Sequence, residues 1–276
     1  MMRRGGGRWR TAWAYAGFTL LALFTVFPFL WTLITALKTT GSVFGFPPDL
    51  VPWPASLQHF ATVWQTMPLA RFFLNTAYIA GMGIGLNLLL CAMAAYPLAR
   101  MSFPGRDLIF YALLATLMLP GHVGLIVNFV TMMKLRLVDT YAGVYLPSAV
   151  SVFGIFLLRQ SYLTIPAELE DAARIDGAGD FAIWWRVMLP LIRPGLATLA
   201  LFEFVSFWNS FLWPLIILKS PEKYPLAVGL LYLSGLFAHN TRAIAAGAVM
   251  MTVPVIVIFL FTQRYFIRGI VMGALK

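Results

Sequence analysis

Residues 72–99 read FFLNTAYIAGMGIGLNLLLCAMAAYPLA, a run without a single Asp, Glu, Lys or Arg. A helix needs about 20 consecutive apolar residues to cross the hydrocarbon core of a bilayer, so this stretch is long enough to span it. Four more windows share the property: Thr11 to Leu37, Leu108 to Met133, Thr140 to Leu158 and Ala243 to Gln263. Pro194 to Leu218 makes a sixth, interrupted by one charge, Glu203. The pattern predicts an all-α polytopic membrane protein with six transmembrane helices.

Composition points the same way. The chain has 276 residues, 61% hydrophobic and 11% charged, whereas a soluble domain carries about 25% charged residues. So apolar a chain has too little polar surface to cover a core in water. That excludes an ordinary soluble enzyme, a disordered tail and a nucleic-acid-binding domain. One cysteine, Cys91, excludes a disulfide framework and a thiolate metal site. His59, His122 and His239 lie far apart in sequence, and no metal cluster is visible.

The net charge of +10 reads as topology. With the N-terminus inside, thirteen basic residues fall on the inner side: Arg3, Arg4, Arg8, Arg10, Arg100, Arg106, Arg159, Arg174, Arg186, Arg193, Arg264, Arg268 and Lys276. Seven fall outside: Lys38, Arg71, Lys134, Arg136, Lys219, Lys223 and Arg242. Cytoplasmic loops are the ones enriched in Lys and Arg, so both termini are expected in the cytoplasm. The expected organisation is an inner tail 1–10, a first span 11–37, an external loop 38–71, a core 72–263 and an inner tail 264–276. The first span exceeds a signal-peptide apolar region and is followed by no small-residue cleavage site, so it reads as a retained helix. The Gly5-Gly6-Gly7 run reads as a flexible tip, because no strand or Gly-Lys follows. Pro47, Pro48, Pro52, Pro54 and Pro68, with Trp53 and Trp64, make the 38–71 loop a turn-rich external cap with interfacial aromatics.

One inner loop departs from the basic character of that face. Residues 163–190 contain Glu168, Glu170, Asp171, Asp176 and Asp180, half of all the acidic residues. Thr164 is suited to cap a helix with Pro166 in its first turn, and the three acids that follow favour a helix N-terminus. Leu169, Ala172, Ala173 and Asp176 share one side at helical spacing. Gly177 stops the helix, since glycine takes the left-handed conformation readily. Asp180 is suited to cap a second short helix carrying Phe181, Trp184 and Trp185, ended by Leu189-Pro190. A bent helix pair with an acidic front and small alanines suits docking into a partner's groove. The periodicity fits equally a loop that only seals the bundle.

Glu170-Asp-Ala-Ala-Arg-Ile-Asp-Gly177, followed by Leu189-Pro190, resembles the EAA loop of ABC-transporter membrane subunits. Asp171 stands where the family has Glu, a carboxylate shorter by one methylene; Asp176 and Gly177 match. Leu37-Lys-Thr39, Phe46-Pro-Pro48, Phe73-Leu-Asn-Thr76, Met118-Leu-Pro120, Phe207-Trp-Asn-Ser-Phe-Leu-Trp-Pro214 and Gln263-Arg-Tyr-Phe-Ile-Arg-Gly269 extend the likeness over nearly the whole chain. It is similar to the MalG-like permease subunits of bacterial carbohydrate ABC importers. The resemblance implies a multi-pass subunit of the bacterial cell membrane with the type I importer permease fold. It implies four kinds of partner: a paralogous larger permease, two copies of an ABC ATPase, an extracytoplasmic substrate-binding protein and membrane lipid. It implies that Glu170, Asp171, Ala172, Ala173, Asp176, Gly177, Leu189 and Pro190 couple the chain to the ATPase, with the 264–276 tail as a second contact. The chain lacks a Gly-x-x-x-x-Gly-Lys phosphate loop, so ATP and Mg are expected in the ATPase subunits and no cofactor on this chain.

Substrate contact is expected near the bilayer midplane. Glu203 is the single charge inside a span, and such charges are costly and by default functional. Ser206, Phe207 and Ser210 lie on its face, Asn209 is adjacent, and Trp208 and Trp213 offer flat surfaces to sugar rings. Asn128 and Asn87 are further candidates. Glu203 is equally suited to pair with another helix, Trp213-Pro214 to anchor the outer interface, and the asparagines to join helices. Gly81, Gly85, Ala243 and Gly247 read as helix-packing positions, and Pro120, Pro147 and Pro254 as kinks or ends. The resemblance implies a sugar or oligosaccharide as substrate, or else glycerol 3-phosphate or a related polyol phosphate. A stand-alone secondary carrier predicts an internal repeat or coupling acids within the membrane; the sequence has no clear repeat and one such acid. Gly177-Ala-Gly-Asp180 matches the Gly-x-Gly-Asp of membrane aspartyl proteases, but that chemistry needs two carboxylates sharing a proton inside the membrane, and this one lies in a charged loop.

Overall fold

The computed structural model describes residues 7–40, 51, 53–121, 123–238 and 240–274. Arg3, Arg4, Gly5-Gly6, Phe46-Pro-Pro48, Pro52, His122, His239 and Lys276 lie outside the described residues. Those described form helices, with one isolated bridge between Lys38 and Ala55. In hydrocarbon every backbone N–H and C=O must be satisfied internally, which helices do within one segment.

The chain divides into two units. One is drawn from Met1–Pro68 and Leu230–Ile256. It holds α1 (Gly7–Leu37) and α2 (Gln58–Thr66). Trp13, Phe18 and Phe24 stand about 70% exposed around α1, as befits a helix apolar all round and solvated by lipid. The loop after it folds back, with Ser56 N donating to Leu37 O at 2.9 Å and Thr39 Oγ1 donating to Pro54 O at 3.1 Å.

The other unit comprises Leu69–Gly229 and Val257–Lys276. Its axis is α3 (Leu69–Arg100). Phe72, Thr76, Ile79, Gly83 and Asn87 follow one another at helical spacing on its buried side. Around it stand α4 (Arg106–Thr116), α5 (Leu125–Lys134), α6 (Tyr141–Tyr145), α7 (Val152–Leu163), α8 (Glu168–Ile175), α9 (Asp180–Ile183), α10 (Leu189–Leu191), α11 (Arg193–Trp208) and α12 (Leu212–Ile217). The chain ends in α13 (Leu226–Leu236) and α14 (Thr241–Ala274), the latter running helical through the expected tail boundary at residue 264. α3 packs chiefly on α7 and α11. One core cluster joins Cys91, Ala95, Tyr96, Leu158, Tyr162 and Leu199. Another joins Ile79, Ala80, Val144, Phe207 and Ile217. Among the expected small packing positions, Gly247 lies under Leu233. Gly81 and Gly85 meet nothing, and Gly83 instead accepts the Phe207 ring, whose atoms lie 2.3–2.7 Å from where a Cβ would be.

The windows are continuous in charge but not in helix. Leu108 to Met133 breaks between α4 and α5 around Pro120. Thr140 to Leu158 bends by 50° between Ser148 and Val152, just after a 3₁₀ turn, Leu146–Ser148, that carries Pro147. Pro194 to Leu218 breaks at residues 209–211 between α11 and α12. Among the described residues, two helices, Thr11–Leu37 and Leu69–Arg100, are long and apolar enough to cross alone, or up to four spans if each bent pair counts as one. Proline removes a helical hydrogen bond and clashes with the preceding turn, and interruptions at membrane depth are tolerated where protein buries them.

Asp139 closes the connection between α5 and α6. Its carboxylate accepts from Lys219 N and Ser220 N, both at 3.0 Å, from the Ser220 hydroxyl at 2.6 Å and from Lys223 Nζ at 2.9 Å. Its backbone takes φ 59°, which a short polar side chain tolerates. Partial burial pushes this carboxyl up. The Ser220 hydroxyl, Lys223 ammonium and two amides overrule that effect and hold it well below the usual carboxylate range. A depressed folded value means the stabilisation is complete above the unfolded value, roughly 3.9, and is lost as pH falls below it. Asp139→Asn is therefore expected to lower the unfolding temperature of the purified protein by the same amount at pH 6 and pH 8. A loss that grows between those values would contradict this clasp.

Candidate functional site

The inner loop forms a helix, a bend and a second helix, with caps that differ from expectation. Thr164 does not cap α8. It closes α7, its hydroxyl donating to Ser161 O at 2.8 Å, and Ala167 stands at the N-cap of α8. A helix end takes the nearest free carbonyl, and Thr164 reaches back before it can reach forward. Gly177 has φ +84°. Ala178 N donates to Ala173 O and Gly177 N to Arg174 O, both at 3.0 Å, so the left-handed bend satisfies the last carbonyls of α8. Asp180 is the first residue of α9 rather than its cap, which is Gly179. The Asp180 carboxylate pairs with Arg174 Nη2 at 2.9 Å, a contact too exposed to contribute much. Leu189-Pro190 does not end the second helix: a π-helical stretch, Trp184–Met188, leads into α10, and the chain turns by 75° at Ile192 into α11.

This geometry separates the predicted coupling residues. Asp171, Ala172, Asp176 and Gly177 are exposed, Ala173, Leu189 and Pro190 half-buried. Ile175 stands 87% exposed on the same helix. Glu170 is turned inward and buried against the end of α3. There Arg100 donates to the Ile165 carbonyl and lies 3.9 Å from the Glu170 carboxylate. One turn earlier, Tyr96 packs edge-on against Tyr162, ring centroids 5.6 Å apart. The Tyr162 hydroxyl accepts from Trp184 Nε1 at 2.9 Å. Arg159 donates to Leu98 O at 3.0 Å and sits 4.0 Å over the Phe110 ring. Both helices of the loop are thus fastened to α3 and α7. Sequence reasoning missed Tyr96, Arg100, Tyr162 and Trp184 in this role. Arg100 and Arg159 carry a signal only as inner-side charges, and pairing across 65 positions leaves no trace in spacing.

The second feature is a cavity of about 490 Å³. It brings together Asn128 with Ser206 and Ser210 from two sequence-separated places, along with Ser148, Phe207 and Trp213. Trp213 Nε1 donates to Gly143 O at 3.1 Å, which fixes the ring. Two predicted pathway residues are elsewhere. Glu203 is buried about one turn earlier on α11 and does not line the cavity; its carboxylate accepts from the Ser151 hydroxyl at 2.9 Å. Asn209 is exposed and closes α11 by donating to Val205 O at 2.9 Å. Trp208 is also packing, buried between Phe73 and Phe204. Asn87 joins helices, donating to Ser148 O at 3.0 Å. Among the described residues, no group of three His, Cys, Asp or Glu is placed to hold a metal ion.

A loop braced from within and open outward, beside a polar cavity in a membrane-spanning bundle, defines a transport subunit. Residues 87–271 match the family model of the binding-protein-dependent transport system inner membrane component. The chain belongs to that family. It is 36% identical to the arabinooligosaccharides transport system permease protein of Halalkalibacterium halodurans, over 94% of each chain. It is 32% identical to a diacetylchitobiose uptake system permease protein of Streptomyces coelicolor, covering 95% of this chain and 88% of that one. It is 31% identical to an sn-glycerol-3-phosphate transport system permease protein of Yersinia pestis, covering 90% and 92%. The fold superposes with a TM-score of 0.83 on a chain of a bacterial ABC transporter involved in the import of the acidic polysaccharide alginate, at 26% identity over 96% of this chain and 99% of that one. These relatives are permeases rather than enzymes, and this chain is the permease subunit of an ABC importer, a membrane protein that leaves ATP hydrolysis to a separate ATPase.

Ser151 holds two parts of the site at once: its Oγ accepts from Gly154 N at 3.1 Å, capping α7, while its hydroxyl donates to Glu203. Ser151→Ala removes both, at a cost of about 1–3 kcal/mol. A thermal unfolding scan is expected to show a clear drop; an unchanged transition would mean that the Glu203 contact stabilises nothing.

Proposed function

We propose that this chain forms half of a translocation pathway for a sugar or oligosaccharide in a bacterial cell membrane, crossing six times with both termini in the cytoplasm. The other half is a paralogous larger permease. Two ATPase subunits bind ATP and Mg and grip the inner loop, and an extracytoplasmic binding protein delivers the substrate. The observation that carries this reading is the outward face of α8 and its bend: Asp171, Ala172, Ile175 and Asp176 are exposed while the opposite side is anchored. An apolar Ile175 in the open beside small and acidic residues is a surface made for a partner.

The cavity supports a sugar over a phosphate. Its described lining offers a side-chain amide, hydroxyls and the fixed Trp213 ring, and no charged group among the described residues. A polyhydroxylated ring suits amide and hydroxyl partners and an aromatic face. A phosphate would call for cations in fork or point geometry. The oligosaccharide permeases among the relatives agree with this preference.

Two experiments test the reading. In proteoliposomes holding the assembled importer, Asp171→Lys and Gly177→Pro are each expected to cut uptake about tenfold or more while the chain still inserts, since coupling free energies of 1–3 kcal/mol correspond to factors of roughly 5–150. Gly177→Pro cannot keep φ +84°, and Asp171→Lys reverses the exposed charge. Unchanged uptake in both would defeat the docking assignment. Separately, Ser206→Leu is expected to block uptake of an oligosaccharide with ATPase association intact; retained uptake would remove the cavity from the pathway.

A further inference from the structure

Three acids stand in the first turn of α8, and only Glu170 is buried. The family's contact surface is read from its exposed neighbours, so a carboxylate turned away from that surface has a different task. It lies against Arg100, the last residue of α3, with side-chain exposures of 10% and 12% for the pair. Arg100 also donates to the Ile165 carbonyl, in the turn between α7 and α8. One guanidinium therefore holds the end of α3, the turn before α8 and α8 itself.

The cluster is incompletely bonded. Arg100 Nε is buried without a hydrogen-bond partner, and the Tyr96 hydroxyl faces the Glu170 carboxylate. The ion pair is 3.9 Å long, whereas a charge-assisted bond closes at about 2.7–2.9 Å. A buried polar atom left open is costly, and a shift of α8 by about 1 Å toward α3 would close the pair. A cavity of about 250 Å³ lies beside Tyr96, between α3 and the second helix of the loop, lined by Met93, Pro97, Met101, Asp180, Phe181 and Trp184, and methionines adapt to changes of packing.

We propose that Arg100 and Glu170 are a positioning pair that delivers movement of α8 to the transmembrane helix α3, by closing and opening the buried ion pair beside Tyr96. This rests on the reading that α8 docks on the ATPase. It separates the two carboxylates of the loop: Asp171 faces the motor, Glu170 faces the span. A two-state contact that both sides bias is what physical coupling requires. A buried pair contributing stability alone gains little over apolar residues of the same size.

The test uses the whole importer, with ATPase subunits and binding protein, in proteoliposomes loaded with ATP. Uptake per ATP hydrolysed and the amount of ATPase co-purifying are measured for Glu170→Gln, Arg100→Met and the double variant Arg100→Met/Glu170→Met. Each single change is expected to lower uptake per ATP about tenfold, within the usual range of coupling between sites, with ATPase retained at the wild-type ratio. The double variant is expected to be no worse than either single one, because both remove the same link. Wild-type uptake per ATP in the single variants overturns the proposal, and so does loss of the ATPase from Glu170→Gln, which would assign Glu170 to the ATPase surface. If a single variant fails to accumulate, the double variant, with no buried charge left unpaired, decides: normal coupling there overturns the proposal. Asp171→Lys keeps the readings apart. If it keeps both ATPase and uptake, the docking reading fails; if it is impaired while Glu170→Gln and Arg100→Met are normal, only the positioning pair fails.

Discussion

Inside hydrocarbon an unpaired amide has no water to turn to, and each break in a helix must find partners from the protein itself. Three interruptions among the described residues of the Leu69–Gly229 unit are closed by partners from the protein. The bend before α7 is held by Ser151, which caps the helix and donates to Glu203. The bend after α8 is closed by the left-handed Gly177 and the amides that follow it. The outer turn at Asp139 collects two amides, a hydroxyl and an ammonium on one carboxylate. Broken helices are what create a cavity, since a straight bundle of tightly packed spans leaves no room for one.

The same constraint explains why polar side chains sit where they do. Glu203 had the profile of a substrate residue by rarity alone, yet its carboxylate is consumed by Ser151 on a neighbouring helix. Asn87 and Asn75 are likewise spent on backbone carbonyls across helix contacts, Asn75 reaching Glu222 O and Tyr224 O. The polar atoms that remain available, on Asn128, Ser206 and Ser210, are weaker individually and converge on one space. The proposed transport path would need such groups, since a hydroxylated cargo is met by amides and hydroxyls.

The acidic loop is a braced projection. Trp184, Tyr162, Tyr96 and Arg100 tie its inner surface to α3 and α7, leaving Asp171, Ala172, Ile175 and Asp176 to the outside. A loop anchored only by lipid would absorb a push, whereas a buried arginine and a tryptophan–tyrosine hydrogen bond fasten this one to the long helices.

Much of this was legible from residue order. Charge-free windows identify the membrane helices because burial of charge in hydrocarbon is costly wherever the helix sits. The helix–Gly–helix form of the inner loop follows from local rules, acids at an N-terminus and glycine at φ +84°. Local rules failed where two helix ends competed: Thr164 closed α7 instead of opening α8, and Pro190 lay in a helix that ran on to Leu191. The sequence alone thus determined that the chain spans a membrane and carries a bent acidic loop, since both depend on neighbours within a few turns. Only the tertiary structure decided that Glu170 turns inward to Arg100 while Asp171 turns out, and that Asn128 meets Ser206 while Glu203 does not. Those outcomes depend on side chains tens of positions apart, and which helices pack together is a property of the whole bundle.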